Sequence, residues 1–225
     1  MELVEKIRAE LAKRIDSEYR EGARRFFKEA IDPWGVRSAP LKEVEVLTYR
    51  LLKPLIVSER YAVFEELWRG GKFEEGVMVS HLARKFKREF GLKEFKIFER
   101  WIDQHVSNWA HCDGVSSWLL SACIENDPGL RAKLLSWTRS KNRWKRRASA
   151  VSFLQEAKRG RNVDYIFNVS ERLEKDTDVM VQKGVGWLLK ETYPKRPEET
   201  LEFFRHHSTS GRAIRGREDE PCGLG

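Results

Sequence analysis

The sequence has no apolar run that approaches the roughly 20 residues needed to cross a membrane. Charged residues make up 35% of the chain, and its mean hydropathy is −0.61. The first residues, MELVEKIRAELAKR, are charged and amphipathic and contain no apolar signal core. We therefore expect a protein that binds no membrane and stays in the cytoplasm.

Cysteine is scarce and lacks the spacing of a disulfide framework or a zinc site. The three cysteines, Cys112, Cys123 and Cys222, form no Cys-x-x-Cys pair, which predicts reduced thiols. His111, Cys112 and Asp113 are consecutive, and adjacent residues of a helix point in different directions, so no metal site is expected there. The sequence also lacks phosphate-binding glycine motifs.

Alternating strand patterns and mid-chain Gly/Ser linkers are absent as well, so the sequence predicts an all-α protein. The clearest loop, residues 31–40, holds two prolines and one glycine. We expect one domain over residues 1–207 and a partly disordered tail over residues 208–225. Helical patterns cover residues 2–15, 21–30, 41–55, 58–68, 73–90, 92–105, a segment from 113, 129–139, 144–158, 163–174, 179–192 and 197–206.

Short helices joined by short loops indicate a repeat architecture. Trp109 and Trp144 lie 35 residues apart, and Asp113 and Arg147 lie 34 apart, which is the scale of HEAT-like or tetratricopeptide-like helix pairs. Because the tetratricopeptide signature is missing, the favoured fold is a HEAT-like solenoid with a basic concave groove.

Positive charge is concentrated in one segment. The chain has a formal net charge of +8 and a pI near 9.4. Residues 139–161 hold nine basic residues and one acidic residue, Glu156, so this segment accounts for the whole excess. Such a patch predicts a polyanion partner, most often nucleic acid, although a solvated basic face has the same composition. The expected contacts are Arg139, Lys141, Arg143, Lys145, Arg146, Lys158, Arg159 and Arg161.

Trp109 and Asp113 are four residues apart, about one helical turn. The buried stripe expected in the following helix comprises Val115, Trp118, Leu119 and Ala122. At about 100° per residue, Trp109 and Asp113 lie roughly 150° from the centre of that stripe. They are therefore candidates for a functional face. The alternative is that Asp113 caps the first turn and Trp109 folds back as a staple.

Trp187 lies off its helix's stripe in a similar way. That stripe comprises Val181, Val185, Leu188 and Leu189. Trp187 lies roughly 145° from it, with Lys183 and Lys190 as its neighbours at i−4 and i+3. A tryptophan on such a face suits stacking against a nucleotide, a sugar or a cation. Alternatively, it packs beneath the next repeat.

Arg147 shows the opposite anomaly, because it falls inside an apolar stripe. The stripe comprises Trp144, Ala148, Val151 and Leu154. A buried arginine needs a carboxylate, a phosphate or solvent. Its planar fork suits a phosphate, and an internal salt bridge is the alternative.

Three motifs resemble those of the AlkD-type DNA glycosylases, the HEAT-like DNA alkylation repair family. They are NWAHCD at residues 108–113, NRWKRRA at 142–148 and VQKGVGWLLKE at 181–191. The last is the most specific, with Gln-Lys, a small residue, an apolar residue, Gly-Trp and then Lys-Glu. A looser likeness runs from residues 26–41 to Phe204, so the resemblance covers most of the chain.

The resemblance implies hydrolysis of the N-glycosidic bond of cationic alkylated purines, such as 3-methyladenine and 7-methylguanine, in duplex DNA. It assigns the groove to Trp109, Trp187, Asp113 and Arg147, with Asp113 stabilising charge on the sugar or orienting water. It requires no metal or organic cofactor. We expect a monomer that associates with the nucleoid when bound to DNA. One departure is Ala110, where family members often carry aspartate.

Two other functions fit part of the pattern. A catalytically silent HEAT-repeat DNA-binding protein would share the basic segment, but a carboxylate at Asp113 facing phosphate would only weaken its binding. A protein-interaction scaffold would need an apolar groove, and the expected DNA contacts Lys183 and Lys190, together with Arg147, disfavour that function.

Overall fold

The computed structural model describes residues 2–207, which fold into helices without a β-strand. The chain divides into two compact units between Asn126 and Asp127. The first contains α1 (Glu2–Ala12), α2 (Ser17–Phe26), α3 (Ser38–Leu52), α4 (Val57–Arg69), α5 (Phe73–Ala83), a 3-10 helix (Arg84–Glu89), α6 (Leu92–Gln104), α7 (Trp109–Gly114), a π-helix (Val115–Leu120) and α8 (Ser121–Asn126).

The second unit contains two further 3-10 helices, Pro128–Leu130 and Trp137–Arg139, which flank its first α-helix. Its α-helices are α9 (Arg131–Ser136), α10 (Arg143–Val151), α11 (Leu154–Lys158), α12 (Val163–Leu173), α13 (Val179–Thr192) and α14 (Pro197–His207). Across residues 2–207 no helix is long and apolar enough to cross a membrane. The expected tail, residues 208–225, lies outside the described residues, as does Cys222.

Local capping and side-chain bonds explain where helix boundaries differ from the predicted ones. α2 begins at Ser17 rather than at residue 21, because the Asp16 carboxylate accepts the Tyr19 N–H at 2.9 Å. The pattern over residues 144–158 is interrupted after Val151, where the Ser152 hydroxyl donates to the Ala148 carbonyl oxygen at 2.7 Å. The predicted helix 73–90 ends as a 3-10 turn.

Two consecutive buried glutamates in the first turn of α5 organise the first unit. The Glu74 carboxylate accepts the backbone N–H groups of residues 34–36 at 2.7, 2.8 and 3.0 Å. Glu75 accepts two hydrogen bonds from the Arg8 guanidinium, at 3.0 and 2.9 Å, and one from the Trp34 indole at 3.0 Å. The predicted loop and α1 are therefore both fastened to α5.

The helix predicted from residue 113 begins earlier, at Trp109, because the Asn108 side chain caps it. Val115, Leu119 and Ala122 are buried as predicted. Trp118 is only half-buried, and the Arg84 guanidinium lies 3.5 Å from the centre of its ring. The π-helix explains this difference, since its i→i+5 hydrogen bonds change the angular spacing on which the predicted stripe rests.

The core of the second unit forms where α10 packs on α13. Both predicted apolar stripes are confirmed, since every member is buried. Arg131 on α9 adds an ion pair to this unit, with its Nη2 2.7 Å from Oε1 of the buried Glu156.

The packing against α5 predicts that Gly76→Ala destabilises the fold. A Cβ at Gly76 would lie 2.5 Å from Cζ3 of Trp68 and 2.6 Å from Nε2 of His111. Both rings are buried, so the substitution should lower the free energy of unfolding by about 1–3 kcal/mol, as measured by urea denaturation. Gly22→Ala is the matched control, because no atom lies within 4 Å of its added Cβ. Equal effects of the two substitutions would contradict close packing at Gly76.

Candidate functional site

α7 presents a tryptophan and a carboxylate on one side. Trp109 and Asp113 are both half-buried, whereas Cys112 and Val115 between and after them are fully buried. Both side chains are thus less buried than Val115, Leu119 and Ala122 of the predicted stripe, and their functional role remains a prediction. They form the first half-site, defined as Trp109 and Asp113.

Trp109 is anchored by a pair of phenylalanines that follow one another in the chain. Its ring stacks on Phe27, with the centroids 5.3 Å apart and the planes at 17°, and it meets Phe26 edge-on at 6.2 Å. Phe27 in turn contacts Phe73 at 5.0 Å. One side of Trp109 is therefore held by aromatic packing from another element, which differs from a staple within its own helix.

Sequence reasoning missed the role of Phe26 and Phe27. The signal in the sequence is that two adjacent aromatic residues follow a strongly charged segment, residues 17–25, which has few apolar residues of its own. In the structure Phe26 ends α2 and remains 65% exposed although it contacts Trp109.

His111 fixes the start of α7 from the buried side. Its Nε2 lies 2.8 Å from the Phe73 carbonyl oxygen, and its Nδ1 lies 3.1 Å from Nδ2 of Asn108. Since a carbonyl oxygen only accepts, Nε2 carries the proton and Nδ1 accepts from the amide. Burial lowers the pKa of His111 to about 4, although the bond to Phe73 opposes that shift. The ring is therefore neutral.

The same asparagine connects this network to the helix end. Asn108 Oδ1 accepts the His111 backbone N–H at 3.0 Å, while its Nδ2 serves the His111 ring. Asn108 and His111 thus determine where α7 begins and how it is oriented on α5. The sequence pattern does not predict this positioning role, because the contact between His111 and Phe73 joins residues 38 positions apart.

The second unit carries the other half-site, defined as Trp187 and Arg147. Trp187 is half-buried, and its Nε1 donates to Oε1 of Glu191 at 3.1 Å. Its helical neighbours Lys183 and Lys190 are exposed. The indole edge is therefore oriented by a carboxylate one turn further along α13.

Arg147 is 5% exposed, as its place in the apolar stripe of α10 predicts. Its Nη1 donates to the Met180 carbonyl oxygen. A Cβ on Gly184 would lie 3.3 Å from Cγ of Arg147, so the absence of a side chain there lets the arginine cross α13. Because Gly184 and Trp187 are three residues apart, this crossing lies one turn from the indole.

The predicted DNA contacts fall into two groups. Within the second unit, Arg146 pairs with Asp176 at 2.6 Å, Arg143 lies 3.2 Å from Asp178, and Lys145 lies 5.4 Å from the centre of the Trp137 ring. These three residues form the first group, which is engaged within the protein. The second group is exposed and comprises Arg139, Lys141, Lys158, Arg159 and Arg161. For both groups, binding to DNA remains a prediction.

Among residues 2–207, no group of three or more histidine, cysteine, aspartate or glutamate side chains is placed to hold a metal ion. Cys112 and Cys123 are buried in the first unit.

Comparison with known proteins provides an independent view. A family model described as DNA alkylation repair enzyme matches residues 7–218. No curated protein matches the chain. Among solved structures, the chain is similar to a predicted DNA alkylation repair enzyme from Enterococcus faecalis, at 14% sequence identity and a TM-score of 0.77, with 91% of this chain and 98% of that chain covered. These matches confirm the all-α helical-solenoid fold class and the family resemblance.

The buried His111 predicts a specific loss of stability in acid. The pKa of His111 is about 4 in the folded protein against an ordinary value of 6.5, so the unfolded chain takes up the proton first as the pH falls. The stabilisation is complete above about pH 6.5 and is lost between pH 6.5 and 4, by about 3 kcal/mol in total. The measurement is urea denaturation at stepped pH.

The control for this acid loss is His111→Gln, whose amide retains a donor for Phe73 and does not titrate. Its free energy of unfolding should vary less between pH 6.5 and 4 than that of the unchanged protein. Identical pH dependence of the two proteins would show that His111 is not the titrating group.

Proposed function

The chain belongs to the DNA alkylation repair enzyme family, and from this membership we propose that it is a DNA glycosylase for cationic alkylated purines in duplex DNA. The lesions are of the 3-methyladenine and 7-methylguanine class. One observation carries the proposal, namely that Trp109 and Asp113 are both partly exposed on the same turn of α7.

The chemistry of such a lesion matches this half-site. An alkylated purine that carries a positive charge is already a good leaving group, so strong acid catalysis is not needed. As the bond from C1′ to the base nitrogen stretches, positive charge grows on the sugar, and the Asp113 carboxylate stabilises it. The face of Trp109 adds a favourable interaction with the same cation.

The hydrolysis is completed by water. The water oxygen forms a bond to C1′ while the base leaves with the electron pair of the glycosidic bond, and the water proton passes to Asp113 or to solvent. The products are the neutral free base and an abasic sugar. Asp113 therefore serves as the electrostatic stabiliser and as the group that orients water.

The second half-site contributes binding. Trp187 offers a sequence-tolerant stacking face, and the Arg147 fork suits a phosphate oxygen. The exposed cations of residues 139–161, together with Lys183 and Lys190, hold flanking phosphates by charge.

Asp113→Asn tests the catalytic role because it keeps the shape of the side chain and removes its charge. Base release under enzyme excess should fall about 100-fold or more, the scale of losing one electrostatic stabiliser. Affinity for methylated duplex should stay the same or rise, since a negative charge facing phosphate has gone. The measurement is single-turnover release of 7-methylguanine from methylated duplex DNA.

Three outcomes of that assay differ in meaning. A slow mutant with unchanged affinity supports the proposal. A mutant as fast as the unchanged protein would make Asp113 a structural residue. If the unchanged protein binds duplex DNA but releases no base, the protein is a silent DNA-binding member of its family.

Trp187 provides a separate test in the second unit. Trp187→Ala should slow single-turnover base release by about tenfold or more, because stacking of a base on an aromatic ring contributes about 1–3 kcal/mol. Trp187→Phe keeps an aromatic face while losing the bond to Glu191, so it should retain most of the rate. Circular dichroism is the control for folding. Loss of helical signal in the alanine variant would place Trp187 in the core instead.

A further inference from the structure

Two loops of the second unit, together with the end of the 3-10 helix Trp137–Arg139, border a shallow surface depression of about 320 Å³ that is open to solvent. One loop lies just before α10 and the other just before α13. The depression is lined by residues 138–140, residues 175–177 and Arg146. We call it the interloop notch, and it belongs to neither half-site.

Arg146 and Asp176 hold the two loops together. Arg146 donates to both carboxylate oxygens of Asp176, at 2.6 and 3.2 Å, and its remaining nitrogen donates to the carbonyl oxygens of Ser140 and Lys141 at 2.9 and 3.2 Å. Asp176 also accepts the Asp178 N–H at 2.9 Å. The carboxylate that lines the notch is thus neutralised by a bidentate arginine.

The charge that remains in the notch is positive. Arg139 is the last residue of the 3-10 helix Trp137–Arg139, beside the first loop, and Lys175 lies on the second loop; both are exposed. The Lys175 ammonium lies 3.7 Å from a carboxylate oxygen of Glu174, which is longer than a hydrogen bond. The cationic group can therefore turn toward an anion in the notch at little cost.

Hydroxyl groups complement these two cations. Ser140 Oγ accepts the Asn142 backbone N–H at 3.1 Å, which leaves its own proton to donate. Thr177, on the facing loop, is exposed. The amino-terminal ends of α10 and α13 begin within three residues of this lining, and their partial positive charge adds to the field.

We propose that the interloop notch seats a backbone phosphate of duplex DNA. Arg139 and Lys175 are the charged ligands, Ser140 and Thr177 are hydroxyl donors, and Arg146 is the strut that shapes the notch. A polymer phosphate is favoured because the notch opens to solvent and adjoins the exposed basic segment that begins at Arg139. The proposal rests on duplex DNA as the partner, but not on base hydrolysis.

The salt dependence of duplex binding tests this assignment. The observed association constant is measured from about 50 to 200 mM KCl, where each lost phosphate contact reduces the slope of log K against log salt by about one unit. Because both cations bind the same phosphate, Lys175→Ala and Arg139→Ala should each reduce the slope, and the double variant, which loses that contact, should reduce it by about one. Lys175→Arg keeps the charge and should keep the slope.

The matched control is Lys133→Ala, which removes the same charge from an exposed position on α9 outside the notch lining. It should leave the slope unchanged. Equal slopes for Lys133→Ala and Lys175→Ala would overturn the proposal, because the effect would then be one of net charge alone. Base release is assayed on the same preparations, so a protein without glycosylase activity but with the predicted slopes refutes only the proposed reaction.

A second measurement distinguishes polymer phosphate from free phosphate. Backbone amide shifts of Ser140 and Thr177 are followed by NMR while duplex DNA or inorganic phosphate is added. Both amides should shift at stoichiometric duplex, and inorganic phosphate should require a large excess. If inorganic phosphate saturates the notch while duplex DNA leaves it unchanged, it is a free-anion site and the proposal fails.

Discussion

The first turn of α5 is the constraint on which the first unit depends. Its three residues each hold a different part of the chain. The Phe73 carbonyl oxygen accepts from His111, Glu74 binds the backbone of residues 34–36, and Glu75 pairs with Arg8. Removing a partner from a buried carboxylate is strongly destabilising, so the contacts of Glu74 and Glu75 each matter to the first unit. The first turn of α5 thereby links α1 and residues 34–36 to α7, on which the first half-site lies.

Two adjacent arginines hold different parts of the second unit together. Arg146 is directed to the loops before α10 and α13, where it pairs with Asp176, while Arg147 crosses α13 at Gly184. Successive residues on a helix diverge by about 100°, so one short basic run can serve two surfaces. The net positive charge of the segment does not reveal either role, because the charge of Arg146 is neutralised by Asp176 within the fold.

Periodicity predicted what depends on one helix alone. It identified the buried stripes of α10 and α13, the lower burial of Trp109 and Asp113 on α7 and the burial of Arg147, since each follows from angular position within a helix, but it wrongly placed Trp118 in a buried stripe. It could not reveal contacts between distant segments. The bond from His111 to Phe73 spans 38 residues and the pairing of Arg146 with Asp176 spans 30. Helix boundaries also moved where a cap such as Asp16 intervened.

The π-helix at Val115–Leu120 makes the first half-site sensitive to chain length as well as to chemistry. A π-helical turn accommodates one residue more than an α-helical one. Deleting a single residue there would remove the extra residue, restore a continuous α-helix and leave α7 facing as it does now. Adding a further residue, or deleting two, would instead rotate α7 by about 100° relative to the buried side of α8, and Trp109 would turn away from Phe27 although its spacing from Asp113 is unchanged. The number of residues between Asp113 and Ser121 therefore sets the direction of the first half-site independently of their identity.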